Sequence, residues 1–173
     1  MLLKTLGIAL IIGGFGLWGL SRAWSIEKRV EELKNIRLAL GFLEKEITCT
    51  HTPLSHALVR TAYFCEPPTA VLFEESGKLL QSRQGATAGE AWRAGMKKLA
   101  SNSALTAGDI NLLESIAAQL GMSDANEQRK VFELLQEELK MQEEKAREEV
   151  KSGHKLWTYG GFIVGTAVVI LLI

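Results

Sequence analysis

Cysteine is almost missing from this chain. Cys49 and Cys65 are its only two, too few for a disulfide scaffold. Proline is nearly as scarce: Pro53, Pro67 and Pro68 all fall in one short stretch, which leaves the rest of the chain free for long helices. Net charge is absent too, because 20 basic residues balance 20 acidic ones. Without a basic surplus there is no electrostatic case for nucleic acid. Three histidines among scattered serines provide no nucleophile–base–orienter set, and no phosphate-cradling glycine–lysine loop is present. Nothing reads as a pair of alternating strands. These absences exclude a disulfide-stapled secreted module, a nucleotide hydrolase and a β-fold, and they leave an all-helical protein with no small-molecule substrate or cofactor.

Charge is also absent locally, at both ends. Thr5–Ser21 and Leu156–Ile173 contain no Asp, Glu, Lys or Arg. About 20 apolar residues span the roughly 30 Å hydrocarbon core as a helix, so both runs are candidate membrane spans. Trp18 and Trp24 near the first, and Trp157 and Tyr159 at the entry of the second, suit headgroup level. A cleaved leader is the competing reading of the first run. Its charged start is only Lys4, and Leu20-Ser21-Arg22-Ala23-Trp24 offers no small-x-small cleavage site, which favours a retained anchor. Arg22, Lys28 and Arg29 follow the first run; Lys145, Lys151 and Lys155 precede the second. Cations prefer the cytoplasmic side, so the sequence predicts a two-pass membrane protein with both termini outside. The expected division is 1–21, first span; 22–155, cytoplasmic helical domain; 156–173, second span.

Small residues mark possible packing faces on these spans. Ala9 and Gly13 recur four apart in the first, and Gly161 and Gly165 form G-x-x-x-G in the second. Gly14-Phe15-Gly16-Leu17-Trp18-Gly19 formally matches the dinucleotide fingerprint G-x-G-x-x-G. It lacks a βαβ context and is too apolar to face water, so dinucleotide binding is rejected.

Between the spans the spacing is helical. Ile26, Val30, Leu33, Ile36, Leu40, Leu43 and Ile47 make one apolar stripe. Thr52-Pro53 reads as an N-cap followed by proline at the first helical position. Pro67-Pro68 ends that short helix, and Val71, Leu72, Leu79 and Leu80 suggest another. Thr87 with Glu90 is a capping box before Ala91, Trp92, Met96 and Leu99, and Thr106 with Asp109 opens a further helix in the same style. Gly121 fits the position just past that helix. Ser123 or Asp124 then starts a long charged helix with a weaker stripe through Gln128, Phe132, Leu135, Leu139, Gln142, Ala146 and Val150. The fold class is therefore all-α: a bundle of about six helices flanked by two transmembrane helices.

Two clusters are candidates for chemistry or binding. Cys49, His51, His56 and Cys65 have the ligand types of a zinc site, but their spacing matches no standard finger. They support an alternative reading as a metal-dependent membrane regulator. The acids of the last helix, Glu133, Glu137, Glu138, Glu143 and Glu144, outnumber what one solvated face requires and form a candidate protein-docking face.

Several strings, taken in order, resemble the stage III sporulation protein AB family of endospore-forming bacteria. They are Leu43-Glu44-Lys45-Glu46-Ile47 before Thr52-Pro53-Leu54, Ala91-Trp92, Leu105-Thr106 with Asp109, and Leu120-Gly121-Met122-Ser123-Asp124 with Gln128. The resemblance covers nearly the whole chain. It implies a cytoplasmic domain similar to that of the type II secretion inner-membrane platform protein F, which contacts a hexameric ATPase. The implied partners are the sporulation ATPase, stage III sporulation protein AA, and other membrane proteins of the same operon. The implied place is the mother-cell membrane facing the forespore, in a secretion-like channel, and the implied role is that of a non-enzymatic adaptor or platform. A general membrane scaffold is the remaining alternative.

Overall fold

The computed structural model describes residues 2–82, 85–120 and 125–172, with side chains described at 21, 24–82, 85–120, 127–152 and 163. Six α-helices follow in order: α1 (Leu2–Thr48), α2 (Leu54–Tyr63), α3 (Thr69–Gln81), α4 (Ala88–Asn102), α5 (Ala107–Glu114) and α6 (Ala125–Leu172). A short 3₁₀ turn, Ser115–Ala118, continues α5. Among the described residues there is no strand. The chain divides into two compact units, Arg29–Glu144 and Met1–Lys28 with Lys145–Ile173.

Within Arg29–Glu144 the core follows the apolar spacing. Leu33, Ile36, Leu40 and Leu43 of α1 are fully buried, at steps of three and four that keep them on one side of a helix. Ala57 and Leu58 of α2, Leu72 and Phe73 of α3, and Ala91, Trp92, Met96 and Leu99 of α4 join them, with Leu139 of α6. Trp92 and Phe73 meet edge to face at 5.8 Å, and the Trp92 indole N–H donates to the Leu113 carbonyl at 2.8 Å. The largest buried ring thus has its one polar atom satisfied.

The middle helices pack closely because small residues stand where they meet. A Cβ added at Gly95 of α4 would lie 2.4 Å from both the Leu72 carbonyl and Ser76 Oγ of α3. One at Gly77 of α3 would lie 2.6 Å from Val59 Cγ2 of α2. Neither gap admits a methyl group, so the close approach of these helices depends on glycine.

Helix starts are set by local chemistry. Thr87 Oγ1 accepts from Glu90 N, and Glu90 returns a carboxylate oxygen to Thr87 N, completing the expected capping box. Thr106 and Asp109 do the same for α5. The start of α2 departs from expectation. Proline occupies the cap position and the helix begins at Leu54. The Thr52 hydroxyl instead donates to Glu46 Oε2 at 2.9 Å, because the chain turns back against the end of α1 there. That turn is made by His51, at a left-handed φ of 52°, which lets Thr52 N–H reach the Glu46 carbonyl at 2.9 Å.

α1 and α6 run without a break through the expected boundaries at 21–22 and 155–156, so each uncharged run shares a helix with the charged stretch beside it. Among the described residues no helix is long and apolar enough to cross a membrane. The two uncharged runs lie almost wholly outside the described side chains; Ser21 and Ile163 are described and exposed. The expected caps at Gly121, Ser123 and Asp124 also lie outside the described residues.

Candidate interaction surfaces

The core spacing of α6 decides which of its acids can meet a partner. Phe132, Leu135 and Leu139 are buried, which turns Glu133, Glu137 and Glu144 outward, while Glu138 is half-buried. Glu133 accepts from Arg129 at 3.2 Å, an exposed pair one turn apart. Glu143 departs from the expected docking set. It is only 5% exposed, and its Oε2 accepts from Arg37 Nε of α1 at 3.0 Å. Its place on the helix falls on the inner face, beside Leu139, so it serves packing and is not part of an exposed acidic face. Leu134 and Met141, seven residues apart on the outward side, are 61% and 53% exposed. Glu44, across from this helix on α1, has its carboxyl pushed up by burial and by the nearby Glu133 charge.

A buried polar seam ties α1 to the connection between α4 and α5. Arg29 grips Asp109 with both arms, Nε to Oδ2 at 2.8 Å and Nη2 to Oδ1 at 3.0 Å. Arg29 is 7% exposed and Asp109 fully buried. The same Asp109 Oδ2 accepts from Thr106 N at 2.8 Å, so one carboxylate both caps α5 and neutralises a buried cation. Three residues further along α1, Glu32 Oε2 accepts from Ala104 N at 2.7 Å. Burial alone would push the Asp109 carboxyl up. The hydrogen bonds from Arg29 and Thr106 outweigh it and hold the group below the ordinary carboxylate range. Further along, Gln136 of α6 donates to the Arg37 carbonyl at 2.8 Å. Helical spacing does not reveal this seam. Its trace in the sequence is Arg29 and Glu32, charges placed four and one residues before Leu33 on the buried side of α1.

The cysteine–histidine quartet does not assemble. Cys49 and His56 are exposed, and Cys49 Sγ lies 3.6 Å from the Thr48 hydroxyl. His51 serves as the left-handed stop after α1. The Cys65 thiol donates to the Thr61 carbonyl at 3.1 Å, and burial pushes its pKa up to about 11, which keeps it protonated. Among the described residues no three His, Cys, Asp or Glu side chains gather within reach of one ion. The metal-regulator alternative therefore has no ligand cluster to rest on.

A second surface, unseen in the sequence, lies between α1 and the end of α2. Leu38 and Phe42 of α1 face Phe64, just past α2, across a cleft of about 390 Å³. The Phe42 and Phe64 rings meet at 4.8 Å. Leu38 is 57% and Phe64 74% exposed, and the neighbouring Tyr63 is 83% exposed. Ala9, Gly13, Gly161 and Gly165, the expected packing residues of the spans, lie outside the described side chains.

Three comparisons bear on this architecture. The family model described as stage III sporulation protein AB matches residues 4–173. Stage III sporulation protein AB of Bacillus subtilis (strain 168) is 28% identical over 171 residues, which is 99% of each chain. A solved structure of stage III sporulation protein AB (SpoIIIAB) aligns with a TM-score of 0.67 at 28% identity, covering 71% of this chain and 96% of that one.

Proposed function

This chain belongs to the stage III sporulation protein AB family, and from that premise we propose that it is a non-enzymatic membrane platform that docks a cytoplasmic ATPase in a sporulation secretion-like channel. The observation that carries the reading is the composition of its two longest helices. α1 and α6 each combine an uncharged terminal run with a charged stretch that supplies core residues to the bundle. Such a chain can hold one helical body close to a bilayer at two points. The cations that flank both runs favour the cytoplasm for that body.

The ATPase-facing surface in this reading is the outward side of α6, with Glu133, Glu137, Glu138 and Glu144; Glu143 is removed from it by burial. The implied partner is the stage III sporulation ATPase, with other membrane proteins of the operon alongside. The test is co-purification of the full chain with that ATPase, together with the charge reversals Glu137→Lys and Glu144→Lys. Binding that survives both reversals removes the α6 face, and no binding by the unaltered chain removes the adaptor reading. A reporter fused at residue 100 should report the cytoplasm. An extracytoplasmic signal there would overturn the topology.

A further inference from the structure

Two exposed apolar patches within Arg29–Glu144 match each other. One is the cleft between α1 and the end of α2, walled by Leu38, Phe42 and Phe64. The other is the ridge of Leu134 and Met141 on α6. The contact between α1 and α6 fixes where each one lies. Gln136 Nε2 donates to the Arg37 carbonyl at 2.8 Å, and a Cβ added at Gly41 would lie 3.4 Å from the same nitrogen. Arg37 and Gly41 therefore mark the side of α1 that meets α6. Leu38 and Phe42 each follow one of them, about 100° further round the helix, on the side of α2. On α6, Gln136 meets α1, while Leu134 and Met141 stand about 150° round from it. Cleft and ridge thus occupy opposite edges of the α1–α6 pair.

They also match in length and level. The α1 wall of the cleft runs from Asn35 to Phe42 and the ridge from Leu134 to Met141, which is about 10 Å of helix rise in each case. Both spans bracket the same hydrogen bond, Gln136 to Arg37, so they lie at one height along the pair. Glu44 lies near Glu133 and Arg37 reaches Glu143, so the two helices run in opposite directions. Leu134 is then level with the Phe42 end of the wall, and Met141 with the Asn35 end. Charges of both signs stand beside both patches, Lys130, Lys145 and Glu138 at the ridge and Lys34, Glu31 and Glu66 at the cleft. Charge therefore neither selects nor bars a partner here, and shape and level decide.

We propose that the α6 ridge of one copy of this chain docks in the α1–α2 cleft of a second copy. The inference rests on the two-anchor reading above, because two copies held in one bilayer differ by a rotation about the membrane normal, which preserves height. A patch on one copy then meets whatever stands at the same level on its neighbour, and here a ridge meets a cleft. Opposite edges make the contact head to tail, so copies extend into a ring or a row in the membrane plane. Anchoring raises the effective concentration of neighbours, so a small contact suffices there. Glu133, Glu137 and Glu144 fall between α1 and the ridge on the circumference of α6, which leaves most of the face assigned to the ATPase open. Only Glu138, beyond the ridge, is covered.

The test replaces Phe64 with a benzophenone amino acid in the full-length chain, irradiates membranes of the cells that make it, and sequences the adducts by mass spectrometry. The same replacement at Lys98, exposed on α4, is the control. The expected product is a chain–chain dimer formed from position 64 and not from 98, joined within a helical turn of Leu134 or Met141. Leu134→Asp brings a charge into the cleft and should lower the dimer yield at least about tenfold, while Ala94→Asp on α4 leaves it unchanged. Leu134 and Ala94 are both exposed, so neither change alters the helical circular dichroism. A dimer joined at any other segment, adducts to lipid or to a different protein alone, no adduct at all, or a yield indifferent to Leu134→Asp each overturns the proposal. Absence of the adduct from a chain that sediments with membranes and retains the ATPase sinks the ridge-and-cleft contact alone. A chain that does not sediment with membranes sinks the platform with it.

Discussion

The α2–α3–α4 layer and the seam between α1 and α5 are held by opposite means. The first has small residues at its contacts, Gly77 and Gly95, and buried apolar side chains around them. The second has charge: Arg29 on Asp109, and Glu32 on a backbone N–H. A glycine contact sets how closely two helices approach, whereas a two-armed ion pair also fixes the direction in which the groups must meet. The difference teaches that the short helices are located by where their side chains are smallest, while α1 is located by a polar contact to the start of α5. A buried ion pair adds little net stability over a well-packed apolar pair, so its use in the seam points to positioning.

The comparison breaks most sharply at Arg29. Arg29→Ala leaves the buried Asp109 carboxylate without its cation, and denaturant unfolding should report a loss of about 3–5 kcal/mol. Arg29→Met with Asp109→Asn removes both charges and keeps an acceptor for Thr106. This double change should recover at least half of that loss, and a double-mutant cycle measures the coupling. In the glycine layer, Gly95→Ala drives a methyl group into the Leu72 carbonyl and should cost about 1–3 kcal/mol by the same assay.

Acid sharpens the contrast further. The Asp109 carboxyl is held below its ordinary value of 3.8, so its contribution is complete above that value. It is lost as the pH falls through the lower, folded-state value. The wild type should therefore lose stability more steeply below about pH 4 than Asp109→Asn does, as followed by helical circular dichroism. Gly95→Ala should run parallel to the wild type. The smallest effect belongs to the exposed pair on α6: Glu133→Ala should change stability by less than about 0.5 kcal/mol.

Much of the layer was legible in the sequence. The Thr87–Glu90 box and the buried set Ala91, Trp92, Met96 and Leu99 follow from spacing alone, because helix periodicity and capping are local rules. The α1 stripe was legible at its centre, and Leu33, Ile36, Leu40 and Leu43 are all buried. The seam was not. Arg29 and Asp109 are 80 residues apart, and Arg37 and Glu143 are 106 apart, so no helical period connects them. Glu143 looked like one acid among several, and its partner on α1 is what sets it apart. Thr52 does not cap α2, because the acceptor its hydroxyl finds, Glu46, belongs to the preceding helix. The cleft escaped for a similar reason. Leu38 and Phe64 become one surface only after α2 folds back on α1.

Asp109 answers to two masters, the N-terminus of α5 and the guanidinium of Arg29. A lineage that replaces the arginine strands a buried carboxylate, and only a side chain that keeps an acceptor for Thr106 can take its place without uncapping the helix. Neither position is then free to drift alone. Across homologous chains the two should change together or stay fixed together, and where the arginine is gone, asparagine or serine should stand at the aspartate's place.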